Sequence, residues 1–249
     1  MNKLRFYSRL LRLLAVLALG LAMAGWVSLL ERFRRNELMA LRQRLTRRFL
    51  AQLAAALPFR LSLHGQLPER PMLWVGNHVS WTDIPLLGGL VPLSFLSKSE
   101  VRSWPLAGWL AHKAGTLFIR RGAGDSGLVR GQLLRHLQHG HDLLIFPEGT
   151  RVPVGQIDKF SRGGAALAAN AGLPVLPVAH DAGLYWPKEG WGKTPGTVRV
   201  VFGPPLQAEG EGPRAIADLN ERAFAWVAQT QRQLGVLADE PVVDGPAKV

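Results

Sequence analysis

His78 and Asp83 stand five residues apart in Asn77-His78-Val79-Ser80-Trp81-Thr82-Asp83. An imidazole and a carboxylate within hydrogen-bond reach form a proton-transfer pair. The carboxylate fixes the ring tautomer and stabilises the imidazolium, while the other ring nitrogen takes a proton from an attacking hydroxyl. In a continuous helix, residues i and i+5 point about 140° apart and cannot meet, so the pair requires a turn, which Gly76 and Asn77 favour. Ser80-Trp81-Thr82-Asp83 equally fits a capping box, with Ser80 as N-cap and Asp83 at the third helical position. His78 equally fits a hydrogen-bonded loop histidine, and spacing alone leaves these readings open.

Two further segments carry groups suited to an anion. Phe146-Pro147-Glu148-Gly149-Thr150-Arg151 follows the apolar run Asp142–Phe146, and a Gly beside a Thr hydroxyl and an Arg guanidinium suits an oxyanion or phosphate cradle. Gly115-Thr116-Leu117-Phe118-Ile119 ends in Arg120 and Arg121, a second cation source. Taken separately, the first is a common loop composition and the second fits solvated charge. His136, His139 and His141 suggest a metal site, but Gly140 ends the helix between them, so they read as surface histidines. The chain has no cysteine. Disulfides, thiolate nucleophiles and Cys-ligated zinc are therefore excluded, and no Gly-x-Ser-x-Gly elbow supplies a serine nucleophile.

These residues need a scaffold. From residue 59 onward, short apolar runs bounded by Gly and Pro alternate with helical patterns. This alternation predicts an α/β fold, a mixed and mostly parallel sheet flanked by helices. Strands are expected at 59–64, 71–76, 93–97, 115–119, 142–146, 174–179 and 196–202, and helices at 82–90, 104–113, 125–139, 162–171 and 214–233. The last helix starts near Pro213 and places Ile216, Leu219, Ala223, Trp226 and Val227 on one stripe. His78 then lies at a strand's carboxyl end, where such sheets commonly hold their sites. The expected division is 1–57 as membrane-anchoring helices, 58–234 as the catalytic domain and 235–249 as a flexible tail.

The net charge of +12 is concentrated at the N-terminal end. Residues 1–50 hold eleven Lys and Arg against Glu31 and Glu37, flanking an 18-residue uncharged run from Leu13 to Leu30. That run is close to the length needed to cross a bilayer as a helix, and its basic collar suits an anionic membrane surface rather than nucleic acid. The rival reading is a signal peptide cleaved after Ala22-Met23-Ala24, against which the apolar run continues past that point. Residues 31–57 continue as a helix with Leu38, Leu41, Leu45, Phe49 and Leu53 on one side, either lying in the interface or packed on the core. Trp26 and Trp81 are expected at the membrane interface or in the core. The positive-inside rule points to a cytoplasmic catalytic domain.

With these segments in order, the chain resembles the glycerolipid acyltransferases, the family that includes bacterial 1-acylglycerol-3-phosphate acyltransferases. Asn77-His78 with Asp83 resembles their first block, Gly115 to Arg121 their second, Phe146 to Arg151 their third and Leu173-Pro174-Val175-Leu176-Pro177-Val178 their fourth. Lys98, and Gly163 after Phe160, also fall where the family has a Lys and a Gly. The resemblance covers residues 70–180. It implies transfer of an acyl group from acyl carrier protein or coenzyme A to a lysolipid hydroxyl, with no covalent acyl-enzyme and no cofactor or metal. It implies His78 as general base with Asp83, and Arg121, Arg151 and Lys98 as phosphate contacts. Glu148, Gly149 and Thr150 would shape the acceptor's surroundings. It further implies a lysophosphatidic acid acceptor, or a lyso-ornithine or other lysolipid, at a bacterial inner membrane. A catalytically silent lipid-binding protein is the remote alternative. Ser161-Arg162 departs from the family's two basic residues and puts one phosphate contact, and with it the acceptor, in question.

Overall fold

The apolar runs that read as strands do form the centre of a sheet in the computed structural model, which describes residues 3–33, 38–120, 126–189 and 193–238. Leu73–Gly76 (β2) and Val175–His180 (β6) are buried along their whole length, and Asp142–Ile145 (β5) is buried after its first residue. Unbroken burial on both faces is the mark of a parallel strand covered by helices on each side. Leu93–Lys98 (β3) and Leu117–Ile119 (β4) extend the sheet on one side, and Gly196–Phe202 (β7) and Phe59–His64 (β1) on the other. The strand order is β1-β7-β6-β2-β5-β3-β4. Every neighbouring pair is parallel except β6 and β7. The carboxyl ends of β6, β2, β5, β3 and β4 therefore share one edge, and β1 begins at that edge.

Alternate residues of the central strands feed two cores. On one face Trp74, Leu144, Leu176 and Val178 meet Leu50 of Met39–Ala56 (α2) and Leu86 and Leu87 of Asp83–Gly88 (α3). On the other, Leu73, Val75, Leu143 and Ile145 meet Leu133 and Leu137 of Ser126–Gln138 (α5), Ala165 and Leu167 of Gly163–Ala171 (α6), and Leu219 and Ala223 of Gly212–Gln233 (α8). In α8 the buried stripe is Ala215, Leu219, Ala223 and Val227, whereas Ile216 and Trp226 sit at its margin. Four-residue spacing drifts slowly around a 3.6-residue turn, which carries this narrow stripe along the core. Strand β4 is shorter than the expected 115–119, because Gly115 takes a positive φ of 83° and Thr116 closes the preceding helix.

Lys3–Phe33 (α1) carries the charge-free run, and its length and composition would allow it to cross a membrane. One side, with Val16, Ala24 and Val27, is buried, while Leu10, Leu11, Leu14, Leu17 and Leu21 are exposed. Glu31 forms ion pairs with Arg42 of α2 and with Lys113 of Ala107–Lys113 (α4). Farther along, Gly20 meets the Phe49 ring so closely that an added Cβ would fall 2.6 Å from it. Together these contacts make α1 and α2 an antiparallel hairpin. Buried Gln43 of α2 donates to Ser94 Oγ and to the Asp142 carbonyl, and Thr46 Oγ1 to the Ala114 carbonyl. Trp26 and Trp81 are both exposed, whereas Trp74 is fully buried in the core.

Candidate active site

At the carboxyl end of β2 the chain turns sharply before α3, and the turn closes on one carboxylate. Asp83 is fully buried, and its Oδ2 accepts from His78 Nδ1 at 2.8 Å, Val79 N–H at 2.7 Å and Ser80 N–H at 2.9 Å. The bond from Ser80 N–H has the form of one half of a capping box, but helix α3 starts at Asp83 with Thr82 in the N-cap position, and Ser80 Oγ accepts from Thr82 N–H rather than from Asp83 N–H, so the capping-box reading does not hold. A helix-starting carboxylate reaches back over the turn and also holds the imidazole. With Nδ1 committed to Asp83, Nε2 is the ring nitrogen left to face a substrate. The His78 ring stacks on Phe146, centroids 4.0 Å apart and planes 13° from parallel.

The neighbouring strands fix this turn from both sides. On the β5 side, Glu148 Oε2 accepts from the His78 N–H at 2.8 Å, and Val152 N–H donates to the His78 carbonyl at 2.8 Å. Gly149 stands between them with a φ of 70°, a conformation that glycine adopts without steric cost. On the β6 side, the Asn77 side-chain amide donates to the His180 carbonyl at 3.1 Å, and its oxygen accepts from His180 N–H at 3.0 Å. His180 Nε2 in turn donates to the Asn77 carbonyl at 3.0 Å and lies 3.9 Å from Asp83 Oδ1. Sequence reasoning passed over Asn77 and His180 as site residues. In sequence His180 shows only as the second residue past the fourth apolar block.

The two carboxylates of the site are driven apart in acidity. Burial pushes Asp83 up, but nearby His180, the hydrogen bond and charge of His78 and the Ser80 N–H together hold it below the ordinary aspartate value. Burial raises Glu148 to about 8, with Asp158 and Asp83 adding to the effect against hydrogen bonds from the His78 and Asp158 amides. At neutral pH one group is an anion and the other largely an acid, which is how two neighbouring carboxyls take different roles.

Cationic groups line the same sheet edge. Lys98 is the exposed last residue of β3, Arg120 is exposed just beyond β4, and Thr150 and Arg151 are exposed in the loop after Gly149. Arg121 lies outside the described residues. Ser161 and Arg162 are exposed ahead of α6, with Ser161 N–H donating to the Pro147 carbonyl. A cavity of about 150 Å³ opens between the α1–α2 hairpin, α4 and the sheet, lined by Gly20, Met23, Val27, Phe49, Phe95 and Ile84. Its wall includes Ile84, the residue that follows Asp83 in the chain, but neither His78 nor Asp83 lines it.

The helix end at residue 136 differs from expectation. His136 is buried, 7% exposed, with its ring 5.0 Å from that of His141 and its Nε2 without a partner. Burial first, then the neighbouring His141, hold its pKa down at about 4. Its ring is covered because the end of α5 tucks in beside β5. Among the described residues, no group of three or more His, Cys, Asp or Glu is placed to hold a metal ion.

A parallel-centred α/β sheet thus sets a carboxylate-held histidine at the carboxyl end of a central strand, and comparison with known proteins gives the class of enzyme built this way. Residues 60–181 match the Acyltransferase family. The chain is 58% identical over 179 residues to the lyso-ornithine lipid O-acyltransferase of Pseudomonas aeruginosa, spanning 72% of this chain and 69% of that one. It is 47% identical over 191 residues to the 1-acyl-sn-glycerol-3-phosphate acyltransferase of the same organism, spanning 75% and 74%. The crystal structure of the 1-acyl-sn-glycerophosphate acyltransferase PlsC from Thermotoga maritima superimposes with a TM-score of 0.69 over 96% of this chain and 100% of that one. At 24% identity the likeness to PlsC is one of fold. The chain belongs to the acyltransferase family.

Proposed function

We propose that this enzyme transfers a fatty acyl group from an acyl thioester, carried by acyl carrier protein or coenzyme A, to the free hydroxyl of 1-acylglycerol-3-phosphate, giving phosphatidic acid. The observation that carries the chemistry is the 2.8 Å bond between His78 Nδ1 and a buried, charge-stabilised Asp83. His78 Nε2 removes the acceptor hydroxyl proton as the oxygen attacks the thioester carbonyl. Collapse of the tetrahedral intermediate breaks the carbon–sulfur bond, and the same proton passes from the imidazolium to the departing thiolate. Asp83 stabilises the imidazolium between the two transfers. Arg151, Lys98 and Arg121 hold the acceptor phosphate, the first two from exposed positions on the site's edge. Glu148, Gly149 and Thr150 shape the loop against His78. The chamber beside Ile84 takes an acyl chain.

A second acceptor is favoured by a specific observation. The relative that is 58% identical is named for lyso-ornithine lipid, and Ser161 removes one cation from the acceptor side. The enzyme works at an anionic membrane surface, at the bacterial inner membrane with its catalytic face in the cytoplasm, and the basic residues around α1 support that placement. The test offers purified protein lysophosphatidic acid, lyso-ornithine lipid and other lysolipids with each thioester, and identifies products by mass. Phosphatidic acid formed by the intact protein and lost in His78→Ala supports the reading. Turnover by the His78→Ala protein at the normal rate would remove the general base. Product from lyso-ornithine lipid alone would replace the acceptor.

A further inference from the structure

We propose that Trp104, Leu106 and Trp109 form an apolar knuckle that inserts into the interfacial layer of the bilayer, giving the chain a second point of membrane contact apart from the α1–α2 hairpin. This rests on the membrane placement proposed above. Strand β3 ends at Lys98, a 3-10 turn runs over Ser99–Ser103, and α4 leads back toward β4. Residues 104–106 are thus the crest of the connection between two neighbouring parallel strands, at the edge of the sheet that holds His78.

Three large apolar side chains stand exposed within six residues of this crest: Trp104 at 58%, Leu106 at 57% and Trp109 at 38%. The backbone beneath them is strained. Leu106 has a φ of 58° and ψ of −54°, and Ala107 N–H bonds the Pro105 carbonyl at 2.6 Å, closing a γ-turn of the rarer hand. Among the described residues it is the one non-glycine with positive φ. Glycine would relieve that conformation, yet a leucine occupies it with its side chain turned outward. A strained crest displaying an apolar side chain to water is unfavourable twice over, and a lipid phase removes the second cost.

The surroundings select lipid as the occupant. Lys98, Arg102 and Arg120 are exposed around the crest, with the Arg102 guanidinium 5.8 Å from the Phe118 ring centre. Tryptophan tips with a cationic rim match the interface of an anionic leaflet. The knuckle is also continuous with α1. Leu110 and Ala111 of α4 line the same cavity as Met23 and Val27, and Lys113 pairs with Glu31. Helix α1 runs antiparallel to α2 with Gly20 against Phe49, so roughly the first third of its length projects past the end of α2. That end adjoins the start of β1, the same edge of the sheet as the knuckle. The exposed Tyr7, Leu10 and Leu11 of α1 and the crest at Leu106 therefore stand at one end of the molecule.

The absence of cysteine makes a site-specific test available. Single variants Leu17→Cys on α1, Leu106→Cys on the knuckle and Glu209→Cys beyond the opposite end of β7 are labelled with a solvatochromic fluorophore. Each full-length protein is reconstituted into phosphatidylglycerol and phosphatidylethanolamine vesicles whose acyl chains carry bromine. Labels at Leu17 and Leu106 are expected to shift blue and be quenched about two-fold or more, while that at Glu209 stays wet. A quenched Leu17 label with a Leu106 label as wet as Glu209 overturns the knuckle and leaves the membrane placement standing. Wet labels at both Leu17 and Leu106 overturn both. A Leu106 label shielded by added acyl carrier protein and not by lipid makes the crest a protein contact and likewise overturns the proposal.

Discussion

Replacing Asp83 by Asn isolates the charge that the proposed mechanism needs. The amide oxygen can occupy the position of Oδ2 and still accept from His78 Nδ1, Val79 N–H and Ser80 N–H, so the turn is kept. What disappears is the attraction between carboxylate and imidazolium as His78 takes the proton. Unit charges about 4 Å apart in an effective dielectric of about 20 attract by about 4 kcal/mol, a rate factor of about 10³. Loss of the tautomer preference adds to it, so kcat is expected to fall about 10³- to 10⁴-fold with little change in KM. Thiol release from the acyl thioester, read with a thiol-reactive chromophore, follows the reaction without background because the protein has no thiol of its own. Far-ultraviolet circular dichroism and a thermal melt confirm the fold. A folded Asn variant within ten-fold of the parent, or one changed only in KM, would refute the reasoning.

Two further outcomes follow from the same site. Glu148 has its folded pKa raised from 4.5 to about 8, so the native state holds a proton that the unfolded chain releases across that window. The associated stability is complete below 4.5 and is lost as the pH rises through about 8, an effect of a few kcal/mol. Glu148→Gln, which can still accept from the His78 N–H, should flatten the fall in melting temperature over that range, and an unchanged slope would count against a buried acid. Arg151→Ala should raise KM roughly 10- to 100-fold for a phosphate-bearing acceptor, the worth of one charged hydrogen bond, while leaving acyl-thioester affinity unchanged. Equal KM values in both proteins would dismiss the contact.

Much of the sheet is legible in sequence because its strands are strongly patterned. Phe59–His64 and Gly196–Phe202 have the bounds that alternation and flanking Gly and Pro suggest, and Asn77 to Asp83 carries the turn that brings its two ends together. Less legible are features that depend on residues far apart in the chain. The bond from Glu148 to the His78 amide spans 70 residues and the link from Asn77 to His180 spans 103. Neither leaves a periodic trace, since parallel register alone makes them neighbours. The 3-10 turn at Ser99–Ser103 and the strained Leu106 follow no propensity rule. His136 reads as a surface residue because Gly140 ends its helix a few residues later, and only the packing of α5 beside β5 encloses it.

The hydrogen bonds that brace His78 from β5 and β6 have an evolutionary consequence. They run to Asn77 and His78 from His180, Glu148 and Val152, none of which belongs to the exposed rim. Lys98, Arg151 and Ser161 sit on that outer margin, where exchanges usually alter stability by no more than about 0.5 kcal/mol. If these rim residues hold the acceptor as proposed, its preference can drift through their single substitution while His78 and Asp83 stay in place. Two relatives from one organism, named for different lysolipids and both alike to this chain, are what such a separable margin would produce. An engineer seeking a new acceptor would begin there and leave the braced turn untouched.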